Sequence, residues 1–104
     1  MPYIKQEDRD LLNPWIDDLF GAMLVDNRVE GAETNRELKA GEYNYIITRL
    51  ANYFLQEKGL NYANVNELIG ALECAKLELY RRVAAPYENK KLDENGDAYD
   101  GEIL

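Results

Sequence analysis

The residues best equipped for chemistry are Arg81, Arg82, Tyr87, Lys90 and Lys91, with Tyr80 beside the arginine pair. A guanidinium presents a planar fork of donors that fits phosphate or carboxylate oxygens. A tyrosine stacks on a ring or a base and keeps a hydroxyl for hydrogen bonding. Asn44, Tyr45, Thr48 and Arg49 repeat this mixture earlier in the chain. In that group Arg would meet phosphate, Tyr would stack, and Asn would read a base or ribose edge. The candidate ligand-binding set is therefore Asn44, Tyr45, Thr48, Arg49, Tyr80, Arg81, Arg82, Tyr87 and Lys90. Eight tyrosines against two phenylalanines also favour aromatic surface with a polar edge. The plainer alternative is that Arg81 and Arg82 pair with Glu78 and Glu88 across helix turns, an arrangement that is common and contributes little.

Other chemistries are narrowed by what is missing. The chain has no histidine, the commonest neutral-pH base and zinc ligand, and it has no serine. Histidine-activated nucleophiles and thiolate zinc sites are therefore excluded. Any catalysis would rest on carboxylates, with or without a hard cation such as magnesium. Glu30–Glu33 and Glu94–Asp97 have E-x-x-E and E-x-x-D spacing, which all-helical nucleotide pyrophosphohydrolases use to hold magnesium. Each pair here contains a glycine and sits in a predicted turn, so solvated acidic turns explain them better. The run Asp93–Asp97 resembles part of a calcium loop but lacks its full ligand pattern. Cys74, the single cysteine, reads as a buried inert thiol. No catalytic residue, metal site or cofactor is expected.

The elements that must position these groups read as helices. Residues 1–12 begin extended and turn helical through Gln6–Leu12. Asn13-Pro14 predicts a restart, with Asn as N-cap and Pro in the first turn. The following helix, to about Leu24, puts Trp15, Ile16, Leu19, Phe20 and Met23 on one face. Residues 25–41 lose the pattern and read as a mobile loop, with a short helical turn near residues 35–40 as the alternative. A second helix runs from about Glu42 to Lys58, stopped by Gly59. Asn64, with Glu67 three residues later, predicts the cap of a long third helix. Pro86 should kink or break that helix, and Asn95-Gly96 should end it. An acidic tail occupies about 97–104. The expected fold is all-α: a small helical bundle in one domain, 1–104, with a long C-terminal helix irregular near Pro86. Self-association would cover Trp15, Phe20 and the small residues around Gly70.

The net charge is −8 and is unevenly spread. Residues 1–42 carry net −5, residues 43–87 net +1, and residues 88–104 net −4. Broad nucleic-acid binding is not expected, because phosphate affinity needs a basic surface. A local basic pocket remains compatible with the acidic total, and the acidic ends serve solubility in the plainest reading. No apolar run approaches 18 residues, so no membrane span is expected. With one cysteine and no apolar leader, the expected location is the cytoplasm.

The segments Met1–Ile4, Asn44–Arg49, Leu72–Arg82, Pro86–Lys91 and Glu94–Asp97 together resemble a family of short phage and prophage proteins of uncharacterised function. The resemblance covers most of the chain outside 25–41. It implies a small phage accessory protein in the cytoplasm of a bacterial host. Small oligomeric phage proteins of this size include sponges that sequester nucleotide-derived immune signals.

Three functions follow in order. The first is a homo-oligomeric binding protein for a phosphate-bearing small molecule, acting without turnover. The second is an acidic protein–protein interaction module that blocks a host protein. The third is a magnesium-dependent nucleotide pyrophosphohydrolase.

Overall fold

The computed structural model describes residues 2–26, 28, 30–31 and 36–103. Its regular elements are all helical: α1 (Gln6–Met23), α2 (Ala40–Lys58), α3 (Tyr62–Leu79), a π-helical segment (Tyr80–Ala84), α4 (Ala85–Asn95) and a short 3-10 turn (Gly101–Ile103). No strand occurs among the described residues. The all-α expectation therefore holds, as does the long C-terminal helix, since α3, the π segment and α4 run without interruption from 62 to 95. By internal contacts the chain divides into two units, Tyr3–Val65 and residues 66–103 together with Pro2.

In the first unit, α1 is continuous through Pro14, which corrects the expected restart at Asn13. The reason lies in the apolar stripe. Leu12, Ile16, Leu19 and Met23 recur at helical spacing on both sides of the proline, so continuing the helix keeps one face intact. Pro14 removes one backbone hydrogen bond from an exposed helix, and the flanking turns tolerate that loss. The first turn is anchored locally. Asp8 and Arg9 N–H donate to the Lys5 carbonyl, each at 3.0 Å, and Arg9 Nε donates to the Ile4 carbonyl at 2.8 Å. Glu7 and Asp8 sit at the positive end of the helix dipole.

Helix α2 starts at Ala40, two residues before the expected Glu42, because Glu42 acts in its cap. Its Oε1 accepts from Lys39 N–H at 3.2 Å, half of a capping box. The helical turn at 35–40, the alternative to a mobile loop, does not form over the described residues 36–39. At the other end Gly59 caps α2 as expected, with φ +101° and its N–H donating to the Leu55 carbonyl at 2.8 Å. The cap of α3 is Asn61 rather than Asn64. Asn61 Oδ1 accepts from Asn64 N–H at 2.9 Å, which lets the helix open at Tyr62. Asn64 instead turns its side-chain amide backwards, donating to the carbonyls of Lys58 and Gly59 at 3.0 and 2.9 Å. It thereby holds the end of α2 against the start of α3.

Helices α1 and α2 flank an apolar groove of about 300 Å3. Ile16, Leu19, Phe20 and Met23 line one side, and Tyr43, Ile46, Ile47 and Leu50 the other. Residues late in α1 and early in α2 line the same groove, and residues 24–39 connect the two helices. None of the described residues in either unit is buried; Ile46, Ile47, Phe54 and Leu55 are half-buried, and Phe20 and Leu50 are exposed.

In the second unit the irregularity expected at Pro86 is present and takes the form of the π segment. Ala85 N–H donates to the Tyr80 carbonyl, five residues back, in place of Arg81. This wider turn lies just ahead of a proline that could not have donated to Arg82. Helix α4 then ends at Gly96, with φ +91° and its N–H donating to the Leu92 carbonyl at 2.8 Å.

Candidate functional site

The C-terminal candidates sit on and just after the π segment. Tyr80, Arg81 and Arg82 lie within it, and Tyr87 and Lys90 lie on α4. A regular α-helix turns about 100° per residue, so residues eight apart sit about 80° apart around the axis. One extra residue in a π turn brings such a pair to within about 20°. The structure has this signature: Tyr80 Oη donates to Glu88 Oε2 at 3.5 Å, eight residues on. The same unwinding draws Arg82 and Lys90, also eight apart, toward one side of the helix, roughly 11 Å apart along its axis.

Partners divide the cations. Arg81 Nη2 donates to both carboxylate oxygens of Glu78, at 2.9 and 3.1 Å. Lys91 reaches Glu94 at 3.2 Å and lies 5.5 Å from the Tyr87 ring centroid. Arg82 and Lys90 make no hydrogen bond or ion pair among the described residues, and both are exposed. The plain alternative of pairing across helix turns thus holds for Arg81, while Glu88 is engaged by Tyr80 and not by an arginine. Two cations that the helix leaves unneutralised, beside exposed Tyr87, form the part of the array open to an anion.

The other four candidates belong to the first unit, on α2. Thr48 Oγ1 donates to the Asn44 carbonyl at 2.9 Å, so its proton is committed within the helix. Arg49 Nη2 donates to Tyr53 Oη at 3.2 Å, and the guanidinium carbon lies 5.1 Å from that ring's centroid. The hydrogen bond to Tyr53, and then its charge and that of Tyr45, raise the Arg49 pKa further above its ordinary value. Tyr53, a turn beyond Arg49, was not among the expected ligand residues. Its i,i+4 spacing from Arg49 was the available signal. Tyr45 is exposed.

A third array falls in the segment expected to be a mobile loop. Residues 27, 29 and 32–35 of that segment, including Glu33 of the E-x-x-E pair, lie outside the described residues. Among the described ones, Asp26 accepts from Arg28 Nε and Nη2 at 2.9 and 2.8 Å and from Arg28 N–H at 2.9 Å. These bonds, the side-chain ones first, lower the Asp26 pKa to about 2. Arg36 N–H donates to the Leu24 carbonyl at 3.3 Å, and the Arg36 side chain pairs with Glu42. Asp26, Arg28, Arg36, Glu37, Lys39 and Glu42 line an open depression of about 500 Å3 in which both signs of charge alternate.

The carboxylate spacing at Glu94–Asp97 does not give one helical face. Glu94 is in the last turn of α4 and paired with Lys91, whereas Asp97 lies beyond Gly96 and accepts from Tyr99 N–H at 2.8 Å. Among the described residues no three His, Cys, Asp or Glu side chains are grouped to hold a metal ion. Cys74 is half-buried rather than buried. No helix among the described residues is long and apolar enough to cross a membrane. Comparison with curated proteins and with solved structures yields no significant match. The family model for a domain of unknown function, DUF6899, matches residues 1–98, and the chain belongs to that family.

Proposed function

We propose that this chain is a binding protein for a phosphate-bearing small molecule and that it acts without turnover. The carrying observation is the π segment, which draws Arg82, Tyr87 and Lys90 toward one side of the helix while leaving both cations unpaired among the described residues. π turns weaken a helix and recur at functional sites. Here the turn sets two anion-seeking groups beside one stacking surface, Tyr87, the chemistry that a nucleotide phosphate and base require. Arg81, relieved of Glu78, would add a third donor group, and Asn44, Tyr45, Thr48 and Arg49 supply the second array. In this reading the protein is a homo-oligomer of phage type in the cytoplasm of a bacterial host, where it sequesters a nucleotide-derived immune signal.

The test is isothermal titration of the full chain with a panel of cyclic dinucleotides and ADP-ribose derivatives. The expected result is saturable heat with at least one of them, abolished in the double variant Arg82→Gln, Lys90→Gln. A well-folded sample that gives no heat with any member of the panel overturns the proposal.

A second reading draws on α1, where Asp8, Asp10, Asp17 and Asp18 set an acidic surface beside exposed Trp15. That combination suits an interaction module that blocks a basic surface of a host protein. Salt-sensitive capture of a basic protein from bacterial lysate supports it, and capture unaffected by salt counts against it.

A further inference from the structure

We infer that Tyr45 and Arg49 on α2 form a site of their own for a nucleoside monophosphate, with the base on the Tyr45 ring and the phosphate on the Arg49 guanidinium. The inference rests on the reading of this chain as a phosphate-ligand protein and names the ligand class of its second array. The first argument is how Arg49 is held. Arg28, Arg36 and Arg81 are each paired with a carboxylate. Arg49 is fixed without one: it donates to Tyr53 Oη at 3.2 Å, and its guanidinium carbon lies 5.1 Å from that ring's centroid. A phenol and a π face orient a guanidinium without cancelling its charge. Of its five N–H donors one is engaged in this way among the described residues, and the remainder still fit the oxygens of an anion. Fixing the side chain beforehand also lowers the ordering cost of binding.

The surrounding charge argues for an anion of low charge. The run from Tyr43 to Gln56 is the longest in the sequence without Asp or Glu, although the chain holds 20 of them. Arg49 is its single cation, and Glu42 and Glu57 close it at either end. An oxyanion on Arg49 therefore meets no like charge from its own stretch of helix, whereas a triphosphate would set several charges against one cation. A single phosphate matches a single guanidinium.

Helix geometry supplies the place for the base. Residues four apart lie about 40° apart around the axis and about 6 Å along it. Tyr45, Arg49 and Tyr53 thus form one exposed stripe, and none of the three lines the groove against α1. Tyr53 is occupied as the anchor of Arg49. Tyr45, 65% exposed, makes no hydrogen bond or ring contact among the described residues, so its face is open for stacking. One ribose spans the helical turn between a base on Tyr45 and a phosphate on Arg49. Asn44 and Thr48 lie about 140° and 100° from Arg49 around α2, so a ligand on Arg49 meets Tyr45 and Tyr53 rather than them.

The test is titration of the full chain at low salt with adenosine 5′-monophosphate, adenosine and inorganic phosphate, followed by calorimetry and by the Nε–H resonance of Arg49. The monophosphate is expected to bind more tightly than either half, and the Arg49 resonance to shift with the monophosphate and with phosphate. Tyr45→Leu should weaken the monophosphate about fivefold or more and leave inorganic phosphate unchanged. Arg49→Lys should weaken both, because an ammonium lacks the fork and the stack on Tyr53. No heat with the monophosphate, an Arg49 resonance that does not move, or binding that survives both substitutions overturns the inference. The double variant Arg82→Gln, Lys90→Gln separates it from the C-terminal site. Monophosphate affinity kept in that variant and lost in Arg49→Lys supports the α2 site whatever the cyclic dinucleotide panel shows. The reverse pattern overturns it and leaves the C-terminal reading standing. Circular dichroism checks that each variant is helical, and where one is not, the resonance shift in the unmodified chain decides.

Discussion

Tyr80 reaches Glu88 across eight residues of continuous helix, Oη to Oε2 at 3.5 Å, because the backbone between them holds one residue more than two α turns need. The register of the C-terminal array therefore depends on the π segment, and the π segment answers to Pro86. Pro86→Ala restores a donor at the position where the wide turn is resolved. We expect the segment to relax to α geometry, which rotates Lys90 away from Arg82 by about 60° or more. Thermal unfolding should show a more stable helix, by up to about 3 kcal/mol. Titration with pyrophosphate should show weaker binding. Affinity unchanged alongside the stability gain would separate the π segment from the site.

The two asparagines at the α2–α3 junction have opposite hydrogen-bonding roles, and their aspartate variants should separate them. Asn61 accepts through Oδ1 from Asn64 N–H, so Asn61→Asp keeps the cap and should be near neutral. Asn61→Ala should cost about 1 kcal/mol. Asn64 donates to two carbonyls, which a carboxylate cannot do, so Asn64→Asp should destabilise by about as much as Asn64→Ala or more. Urea unfolding of the four variants measures this, and equal effects of the two aspartate substitutions would contradict the assignment.

How much of this was legible in the residues follows from the range of the forces involved. Periodicity is local and strong, so the helical fold, the Gly59 and Gly96 stops and the irregularity before Pro86 can all be read from the sequence. Asn13-Pro14 misleads because its cap signal is local, while the stripe from Leu12 to Met23 that overrides it spans about three turns. Asn64 misleads for a related reason. It has the capping spacing to Glu67, but Asn61 stands three residues ahead of it and takes the cap first. The pairing of Asp26 with Arg28 was hidden in a segment of low periodicity, where only a two-residue spacing from Asp to a backbone N–H marks the turn. Which cations stay unpaired was not legible, since it depends on the π register that sets Tyr80, and not an arginine, on Glu88.

Glu78 competes with any anionic ligand for Arg81, being bound at 2.9 and 3.1 Å. Glu78→Gln removes the charge and keeps the side-chain length. Arg81 is exposed while Glu78 is half-buried, so the cost in stability should be on the order of 1 kcal/mol. Affinity for pyrophosphate should rise several-fold as Arg81 is released, and calorimetric titration at low salt reads the change. A fall in affinity would show that Glu78 positions Arg81 for the ligand, whereas no change would remove Arg81 from the site.

Asp26 offers a pH dependence whose sign is set by Arg28. Its pKa is lowered from the ordinary 3.8 to about 2 by the bonds to Arg28, so the folded state favours the carboxylate. The contribution of the pair is fully present above pH about 4 and is lost as pH falls toward about 2. Because the pair is exposed, the expected loss is local: the turn at Asp26–Arg28 opens while the helices persist. Carbon-detected NMR titration of the Asp26 carboxyl should give a midpoint near 2, and Arg28→Ala should raise it part of the way toward the ordinary value, since the backbone N–H at position 28 still donates to the carboxylate. Helical circular dichroism should change little over the same interval. A midpoint near 4 in the unmodified chain would mean that Arg28 does not hold Asp26 in solution, and the charge pattern around the 500 Å3 depression would have to be redrawn without that pair.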